Sequence, residues 1–345
     1  MLNLNITRPD DWHIHLRQDA ALATTVSHAA QQFNRVIVMP NCTPPIIDQE
    51  SALKYRNHII TNIPSNYKTQ FEPLLTIYLT DNTTIENIKH AAFDKNIIAA
   101  KLYPKGATTN SNSGVTNILK IYNILEAMEK FGLPLLVHGE VTDRNVDVFD
   151  RETVFIDKIL TDIRIKFPNL KITLEHLTTK HGVDFVLNYN HNTAATITPH
   201  HLLLNRNDLL VDGFKPHYYC LPIIKDSPNQ QALINAAVSG DPRFFAGSDS
   251  APHVRSNKES ACCPAGIYHG PNTVLVYTEF FDMQNKLDKL EAFISFYGAD
   301  FYNLPRNTDK ITLIKNNTVI PDNYNYLDNA IVPFWAGRTI NWSFG

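Results

Sequence analysis

The chain has 345 residues, of which 43% are hydrophobic and 19% are charged, and its formal net charge at pH 7 is −3. This length can bury one large core or two modest ones, and the slight acidity without basic runs argues against nucleic acid as a partner. No apolar stretch approaches the length of a membrane span, and the opening MLNLNITRPDDW lacks the charged-then-apolar order of a signal peptide.

Short apolar runs recur along the chain, and a plausible amphipathic helix follows most of them. In chain order the runs are DWHIHL (11–16), RVIVMP (35–40), PLLTIYLT (73–80), IIAAKLYP (97–104), LPLLVHGE (133–140), KITLEHLT (171–178), TAATITPHH (193–201) and RFFAGSDSAP (243–252). The helical patterns between and after them are LATTVSHAAQQF, SALKYRNHIITNI, ILKIYNILEAMEKF, VFIDKILTDIRIKF and residues 228–240 and 272–300.

This alternation of strands and helices predicts a parallel sheet closed into a (β/α)₈ barrel of the TIM type. An open doubly wound sheet is the competing architecture, but no GxGxxG follows any run, which removes its usual dinucleotide-binding form. No repeat or linker divides the chain, so we expect a single domain over residues 1–345. The tail from about Lys310 reads as a loop-rich, aromatic extension that packs on the barrel.

The first run carries two histidines one residue apart, His13 and His15. Alternate side chains of an extended strand share a face, so the two imidazoles would point to the same spot, with Cα atoms roughly 6.5–7 Å apart. This is possible metal-ligand geometry, although two solvent-facing histidines on a strand would look the same.

Polar residues also stand in, or just after, six of the eight apolar runs. They are Arg17 after the first run, Asn41 after the second, Lys101 in the fourth, His138 in the fifth, His176 in the sixth and Asp249 in the eighth. The carboxyl ends of barrel strands surround one mouth, where catalytic groups of this fold collect. The sequence therefore predicts that these distant residues converge on one site.

Each of these residues also has a structural explanation. His138 and His176 could be core histidines bonded to carbonyls, and Asp249 could cap a turn. Lys101 is the hardest to explain in this way, because a buried ammonium is costly unless it is paired or deprotonated. A neutral amine that has captured CO₂ as a carbamate would instead be an anionic ligand.

The ordered set of an HxH pair, a lysine, two single histidines and an aspartate resembles the amidohydrolase superfamily. The finer motifs are similar to those of dihydroorotases of the shorter bacterial type: RPDDWHIHLR, VMPNCTPP, AAKLYPKGATTNS, LLVHGEVTD, FDRE, LEHLTTK, TITPHHLLLNRN, KPHYYCLPI and GSDSAPH. This similarity runs from about residue 5 to the end of the chain.

The resemblance implies a centre of two Zn²⁺ ions per subunit, although such a site could also take cobalt or manganese. One ion would be held by His13, His15 and Asp249 and the other by His138 and His176. A carboxylated Lys101 and a hydroxide would bridge the two ions. Asp249 would also be the general acid and base.

The resemblance further implies the reversible cyclisation of N-carbamoyl-L-aspartate to L-dihydroorotate in de novo pyrimidine synthesis. Arg17, Asn41 and His253 would hold the substrate carboxylate, and the backbone at Leu221 and Ala265 would meet the ring. The loop KGATTNSNSG (105–114) would be a lid in which Thr108 and Thr109 contact the substrate. A cytoplasmic homodimer is the expected form.

Other conspicuous residues receive no functional role. His200 and His201 end the seventh run, but the implied ligand set is complete without them, so we assign them to structure. Cys42 has no obvious base nearby, and the adjacent Cys262 and Cys263 stay unassigned. No cysteines form a CxxC pair, which favours a reduced cytoplasmic setting.

Two alternatives remain open from the sequence. A hydantoinase-like cyclic amidase could use the same metals, but the carboxylate-binding set favours a ring that bears an acid. A catalytically silent subunit that scaffolds a partner, such as the preceding transcarbamoylase, would be expected to lack some of the ligands, whereas all six implied metal-binding positions are filled here.

Overall fold

A computed structural model describes residues 2–189 and 192–345 of the chain. Its strands are β1 (Asn3–Thr7), β2 (Asp10–Ile14), β3 (Arg35–Val38), β4 (Glu72–Tyr78), β5 (Ile97–Leu102), β6 (Leu135–Val137), β7 (Ile172–Leu174), β8 (Thr193–Ile197), β9 (Phe244–Ala246), β10 (Lys310–Val319), β11 (Tyr324–Tyr326), β12 (Asn329–Ile331) and β13 (Thr339–Phe344). The central sheet has eight parallel strands in the order β2 to β9. All eight apolar runs of the sequence are therefore confirmed as barrel strands.

The α-helices lie mostly between successive barrel strands. They are α1 (Leu22–Ala30), α2 (Gln49–Thr61), α3 (Ile85–Ala92), α4 (Tyr122–Phe131), α5 (Arg151–Phe155), α6 (Thr161–Lys166), α7 (Lys180–Asn188), α8 (Pro199–Leu203), α9 (Arg206–Leu210), α10 (Ser227–Val238), α11 (Arg255–Lys258), α12 (Thr273–Met283), α13 (Leu287–Glu291) and α14 (Tyr297–Phe301). One π-helical turn joins α5 to α6 and another joins α13 to α14. The predicted 272–300 helix is thus interrupted, and five helices lie outside the helical patterns that we identified: α3, α7, α8, α9 and α11.

The barrel strands are apolar because both of their faces are covered. Every residue of β3, β6, β7, β8 and β9 is buried. Helix starts are set by local polar side chains, as at α2, where the Asp48 carboxylate accepts a hydrogen bond from the Ser51 amide at 2.9 Å. Continuous apolar strands and capped surface helices are the pattern expected of an α/β barrel.

The barrel closes between its first and last strands. The Asp249 amide donates to the His13 carbonyl at 2.8 Å, and the His15 amide donates to the Ser250 carbonyl at 3.1 Å. The buried Asp11 carboxylate reinforces this seam by accepting from the Ser248 amide at 2.8 Å. The predicted barrel is confirmed, and its closing contacts include three residues that the sequence had singled out, His13, His15 and Asp249.

The C-terminal extension contains more strand than its sequence suggested. β10 pairs antiparallel with β1 on one side and with β13 on the other. Leu313 and Trp342 of this small sheet are fully buried, so the extension packs on the barrel as expected. It contains four strands, β10 to β13, as well as loops. We missed β1 because its five residues carry little pattern until their partner β10 is known. The single-domain organisation stays a prediction.

None of the described helices combines the length and the apolar character that crossing a membrane would require.

Candidate metal centre and active site

The polar residues at the strand ends surround one pocket with about 330 Å³ of empty space. Its walls are formed by His13, His15, Arg17, Asn41, Tyr103, Thr108, Thr109, His138, His176, Leu221, Asp249, Ala251, Ala265 and Gly266. Eleven residues singled out from the sequence are among them. Lys101 and His253 do not line the pocket. His253 contacts Arg17, which does, and the charge of Lys101 acts on His13, which also does.

Four imidazoles form a continuous group in this pocket. The ring centres of His13 and His15 are 5.5 Å apart, and those of His13 and His176 are 5.1 Å apart. His138 lies 4.7 Å from His176 by the same measure. Burial lowers the pKa of His15 to about 4 and that of His176 well below its usual range, so both rings are neutral. Neutral imidazole is the form that binds metal ions.

Asp249 lies against the first two histidines. Its Oδ1 atom is 3.0 Å from Nε2 of His15 and 3.3 Å from Nε2 of His13. Burial opposes ionisation of this carboxyl group, but the hydrogen bonds with His13 and His15 hold its pKa well below the usual range. Both contacts use the same oxygen, so the second carboxylate oxygen is not engaged by either imidazole.

Two buried glutamates orient the histidines. Oε2 of Glu175 lies 2.5 Å from Nδ1 of His13, and Oε2 of Glu140 lies 2.9 Å from Nε2 of His138. Such carboxylates fix the tautomer of a metal-binding imidazole and leave its other nitrogen free for the ion. The sequence analysis missed both residues. The only available signal was their position in the motifs, beside His176 and two residues after His138 respectively.

Lys101 is fully buried in β5, and its Nζ atom has no hydrogen-bond partner among the described residues. Burial lowers the pKa of this amine to about 8, although the negative charges of Glu175 and Asp249 act to raise it. An unpartnered buried amine is costly, so its location beside the histidines calls for a further group.

Three site residues adopt left-handed backbone conformations that side chains other than glycine rarely occupy. Arg17 has a φ of 62°, His176 has a φ of 42° and Asp249 has a φ of 46°. Residues held in this region store strain that the surrounding structure must compensate, and such strain is concentrated at functional sites. Nearby Gly247 permits close approach, because a Cβ there would lie 2.7 Å from Thr196 and 3.0 Å from the Cβ of His13.

A second group of polar residues forms the rim of the pocket. Nε of Arg17 donates to the Pro252 carbonyl at 3.1 Å, and its Nη2 lies 3.2 Å from Nε2 of His253. The same His253 nitrogen is 2.9 Å from the Ala265 carbonyl. Burial and the Arg17 charge lower the pKa of His253 to about 2, so this ring is neutral. The structure thus brings Arg17, His253 and Ala265 together.

The loop 105–114 lies over the pocket. The Asn41 side-chain amide donates to the Thr109 carbonyl at 3.0 Å, and the Thr109 hydroxyl donates to the Ala265 carbonyl at 3.1 Å. In return, the Asn110 side chain donates to the Asn41 carbonyl at 3.0 Å. The loop is therefore held to the rim by hydrogen bonds that a ligand could exchange.

The donor set of the pocket floor fits a metal centre. Donor atoms of His13, His176 and Asp249 all lie within 4.8 Å of one another. Nδ1 of His176 is buried without a hydrogen-bond partner, as is Nζ of Lys101. Imidazole nitrogen and carboxylate oxygen are ligands that zinc prefers, and carboxylates support two of the histidines from behind.

A second buried cluster contains the histidines that the sequence analysis assigned to structure. Donor atoms of His200, His201 and Cys220 also lie within 4.8 Å of one another. His201 is held by the Thr198 hydroxyl at 2.8 Å and by the Pro222 carbonyl at 3.0 Å. Nδ1 of His200 lies 3.0 Å from Nε2 of His269.

The structure places the four cysteines in different surroundings. All four thiols are free. Burial raises the pKa of Cys42 to about 11, which keeps this thiol protonated and agrees with its exclusion as a nucleophile. Cys262 is exposed and Cys263 is partly buried.

Comparison with known proteins identifies relatives along the whole chain. Residues 10–316 match the model of the amidohydrolase family. A dihydroorotase from Shewanella sp. (strain ANA-3) is 55% identical over 342 residues, covering 99% of both chains.

Solved structures give the same result. Dihydroorotase from Saccharomyces cerevisiae, in complex with 5-fluoroorotic acid, superposes with a TM-score of 0.91 at 31% identity, covering 100% of this chain and 99% of the other. Dihydroorotase from Campylobacter jejuni superposes with a TM-score of 0.90 at 33% identity and covers 99% and 97% of the two chains. The chain therefore belongs to the dihydroorotase family of amidohydrolases.

Proposed function

We propose that this chain is a zinc-dependent dihydroorotase. It catalyses the reversible cyclisation of N-carbamoyl-L-aspartate to L-dihydroorotate and water in de novo pyrimidine synthesis. The observation that carries the proposal is the pocket floor, where imidazoles from three strand ends meet Asp249 beside an unpartnered lysine. The full-length similarity to dihydroorotases supplies the substrate class.

Six residues would hold two zinc ions. His13, His15 and Asp249 would bind one, His138 and His176 the other, and a carboxylated Lys101 would be shared between them. Support for the modified lysine comes from its unpartnered Nζ atom in full burial. When bound, the metal centre supplies polarisation of the reacting carbonyl and a water with a lowered pKa.

Asp249 would be the residue that moves the proton. In the cyclising direction its free carboxylate oxygen takes the proton of the ureido nitrogen as that nitrogen attacks the side-chain carboxyl carbon. That proton, together with one taken up from the solvent, leaves with the expelled carboxylate oxygen as water. In hydrolysis the same carboxylate receives a proton from the attacking water and returns it to the departing ring nitrogen. One group serves both directions because each step reverses the other.

The rim would hold the remaining carboxylate of the substrate. Arg17 supplies a planar pair of donors suited to a carboxylate, and Asn41 and His253 stand beside it. Thr108 and Thr109 would contact the substrate from the loop above, while the backbone at Leu221 and Ala265 would meet the ring. Binding then requires these groups to exchange their present internal contacts for contacts with the substrate.

The direct test is hydrolysis of L-dihydroorotate by the zinc-loaded protein, followed by loss of ring absorbance, together with metal analysis. Asp249→Asn keeps the shape of the side chain but removes its basicity. We expect kcat to fall by about 100- to 10,000-fold, the usual contribution of a general acid or base. Absence of activity in the unmodified protein would refute the proposed function, and an active Asp249→Asn variant would refute the role of Asp249.

A second experiment separates this reaction from that of a hydantoinase-like amidase. The unmodified protein should hydrolyse dihydroorotate but not dihydrouracil, which has the same ring without the carboxylate. Arg17→Lys keeps the charge and loses the fork, so KM for dihydroorotate should rise by about 10-fold or more. Equal turnover of the two rings would instead favour the hydantoinase-like activity.

The proposal extends to the form and location of the protein. Four free thiols fit a reduced cytoplasmic compartment. A homodimer, expected from the family, is tested by light scattering after gel filtration, where a monomeric mass would contradict it.

A further inference from the structure

Tyr103 is a pocket residue for which the proposed mechanism has no use. It follows β5 and stands two positions after Lys101. Among the residues that line the pocket, only two buried side-chain atoms of the described chain lack a hydrogen-bond partner: Nδ1 of His176 and the hydroxyl of Tyr103. The metal centre accounts for the first of these atoms. The second has no assigned partner.

The ring of Tyr103 is held firmly in place. It stacks on Tyr78 with ring centres 5.0 Å apart and lies 6.1 Å from the ring of His138. Nζ of Lys101 is 5.3 Å from the centre of the Tyr103 ring. The aromatic ring therefore packs beside the proposed ligands, and Tyr103 lines the same pocket as they do.

The chemistry of the hydroxyl limits its role. The phenol group of an ordinary tyrosine is protonated at neutral pH, so the hydroxyl is available as a donor. A neutral phenol is not among the ligands that zinc prefers. In the proposed function the rim residues hold the substrate carboxylate, and the oxygen of the reacting amide has no protein donor assigned to it.

We propose that Tyr103 is a further catalytic residue, whose hydroxyl donates a hydrogen bond to the carbonyl oxygen of the scissile amide. The proposal rests on the dihydroorotase function. A fixed donor stabilises negative charge that develops on this oxygen when water attacks the carbonyl carbon, and no proton needs to be transferred. Because the ring is already packed in place, the hydroxyl needs little reorganisation when the reaction occurs.

The test is Tyr103→Phe, which removes the hydroxyl and keeps the packed ring. Loss of one such donor typically lowers kcat by about 100- to 1,000-fold, and we expect that loss with KM changed by less than about threefold. Zinc content and melting temperature should match those of the unmodified protein. Tyr302→Phe is the matched control, because that buried hydroxyl instead bonds Thr173 at 2.9 Å.

The outcomes distinguish the possible errors. An unchanged kcat, or an increase in KM alone, would overturn the role of Tyr103 in the transition state. Loss of zinc would also overturn it, because the hydroxyl would then serve the metal site. If Tyr103→Phe folds poorly, Tyr103→Met, which also fills the space without a donor, must show the same loss of kcat. An unmodified protein without dihydroorotate hydrolysis would refute the function rather than this assignment.

Discussion

Two buried clusters of this chain have similar donor geometry but different surroundings. Donor atoms of His13, His176 and Asp249 lie within 4.8 Å of one another, and so do those of His200, His201 and Cys220. The first cluster contains a carboxylate and is backed by Glu175, which lies 2.5 Å from His13. The second has no hydrogen bond to a carboxylate among the described residues, and its imidazoles bond to hydroxyl, carbonyl and imidazole groups.

Spacing alone therefore does not distinguish the two clusters as candidate metal sites. Burial raises the pKa of the Cys220 thiol well above its usual value, so this residue carries no negative charge in the absence of a metal ion. Burial also lowers the pKa of His201 to about 4 and that of His269 to about 3, which makes these rings neutral. A divalent cation placed there would meet no carboxylate among the three residues, whereas the first cluster supplies Asp249.

The largest effect is expected for Lys101→Ala. Removing the proposed shared ligand should lower zinc content and reduce dihydroorotate hydrolysis by more than the roughly 10- to 100-fold typical of an outer-shell partner. Added short carboxylic acids should restore part of the activity by occupying the vacated space. Metal analysis and kinetics check both effects.

The control for that experiment is Lys225→Ala. Lys225 is also buried, but it donates to the Ile223 carbonyl at 3.0 Å near the second cluster. This variant should retain its zinc. If Lys101→Ala keeps the same zinc content as the control, Lys101 is not a bridging ligand.

A smaller effect is expected for Glu175→Gln, which removes the charge that distinguishes the first cluster. The amide can no longer stabilise the His13 ring as an anion does, so zinc affinity or activity should fall by about 10- to 100-fold. Zinc affinity is measured by competition with a chelator. A variant with unaltered affinity and rate would show that the orienting carboxylate contributes nothing to the centre.

The smallest effect is expected at the second cluster. Cys220→Ala should leave zinc content and kcat unchanged, because the thiol makes only weak contacts, with the Pro222 carbonyl at 3.4 Å and with Nε2 of His201 at 3.7 Å. A modest decrease in melting temperature is the expected cost of removing a buried atom. Loss of one zinc equivalent in this variant would place a metal at the second cluster and remove the contrast between the two.

Sequence patterns were sufficient for the barrel and for most residues of the site. Each barrel strand is covered on both faces and is therefore apolar throughout, so it can be predicted from its own residues alone. The proposed ligands stand where those runs end, and the fold brings such ends to one mouth. That is why residues as far apart as His13 and Asp249 could be grouped before their contacts were known.

The remaining features depend on contacts between distant segments. β1 and the extension strands become evident only through their mutual pairing. The direction of the side chains in the folded barrel decides that Glu140 contacts His138 and that Glu175 contacts His13. It also decides that the Tyr103 hydroxyl has no hydrogen-bond partner among the described residues.

By itself, the sequence determined the barrel, the order of its strands and the ligand types at their ends, because these follow from local hydrophobic pattern and residue chemistry. Only the tertiary structure decided which buried atoms are paired and which are not. That distinction separates the two histidine clusters, and it arises because hydrogen-bond satisfaction depends on the positions of atoms contributed by strands far apart in the chain.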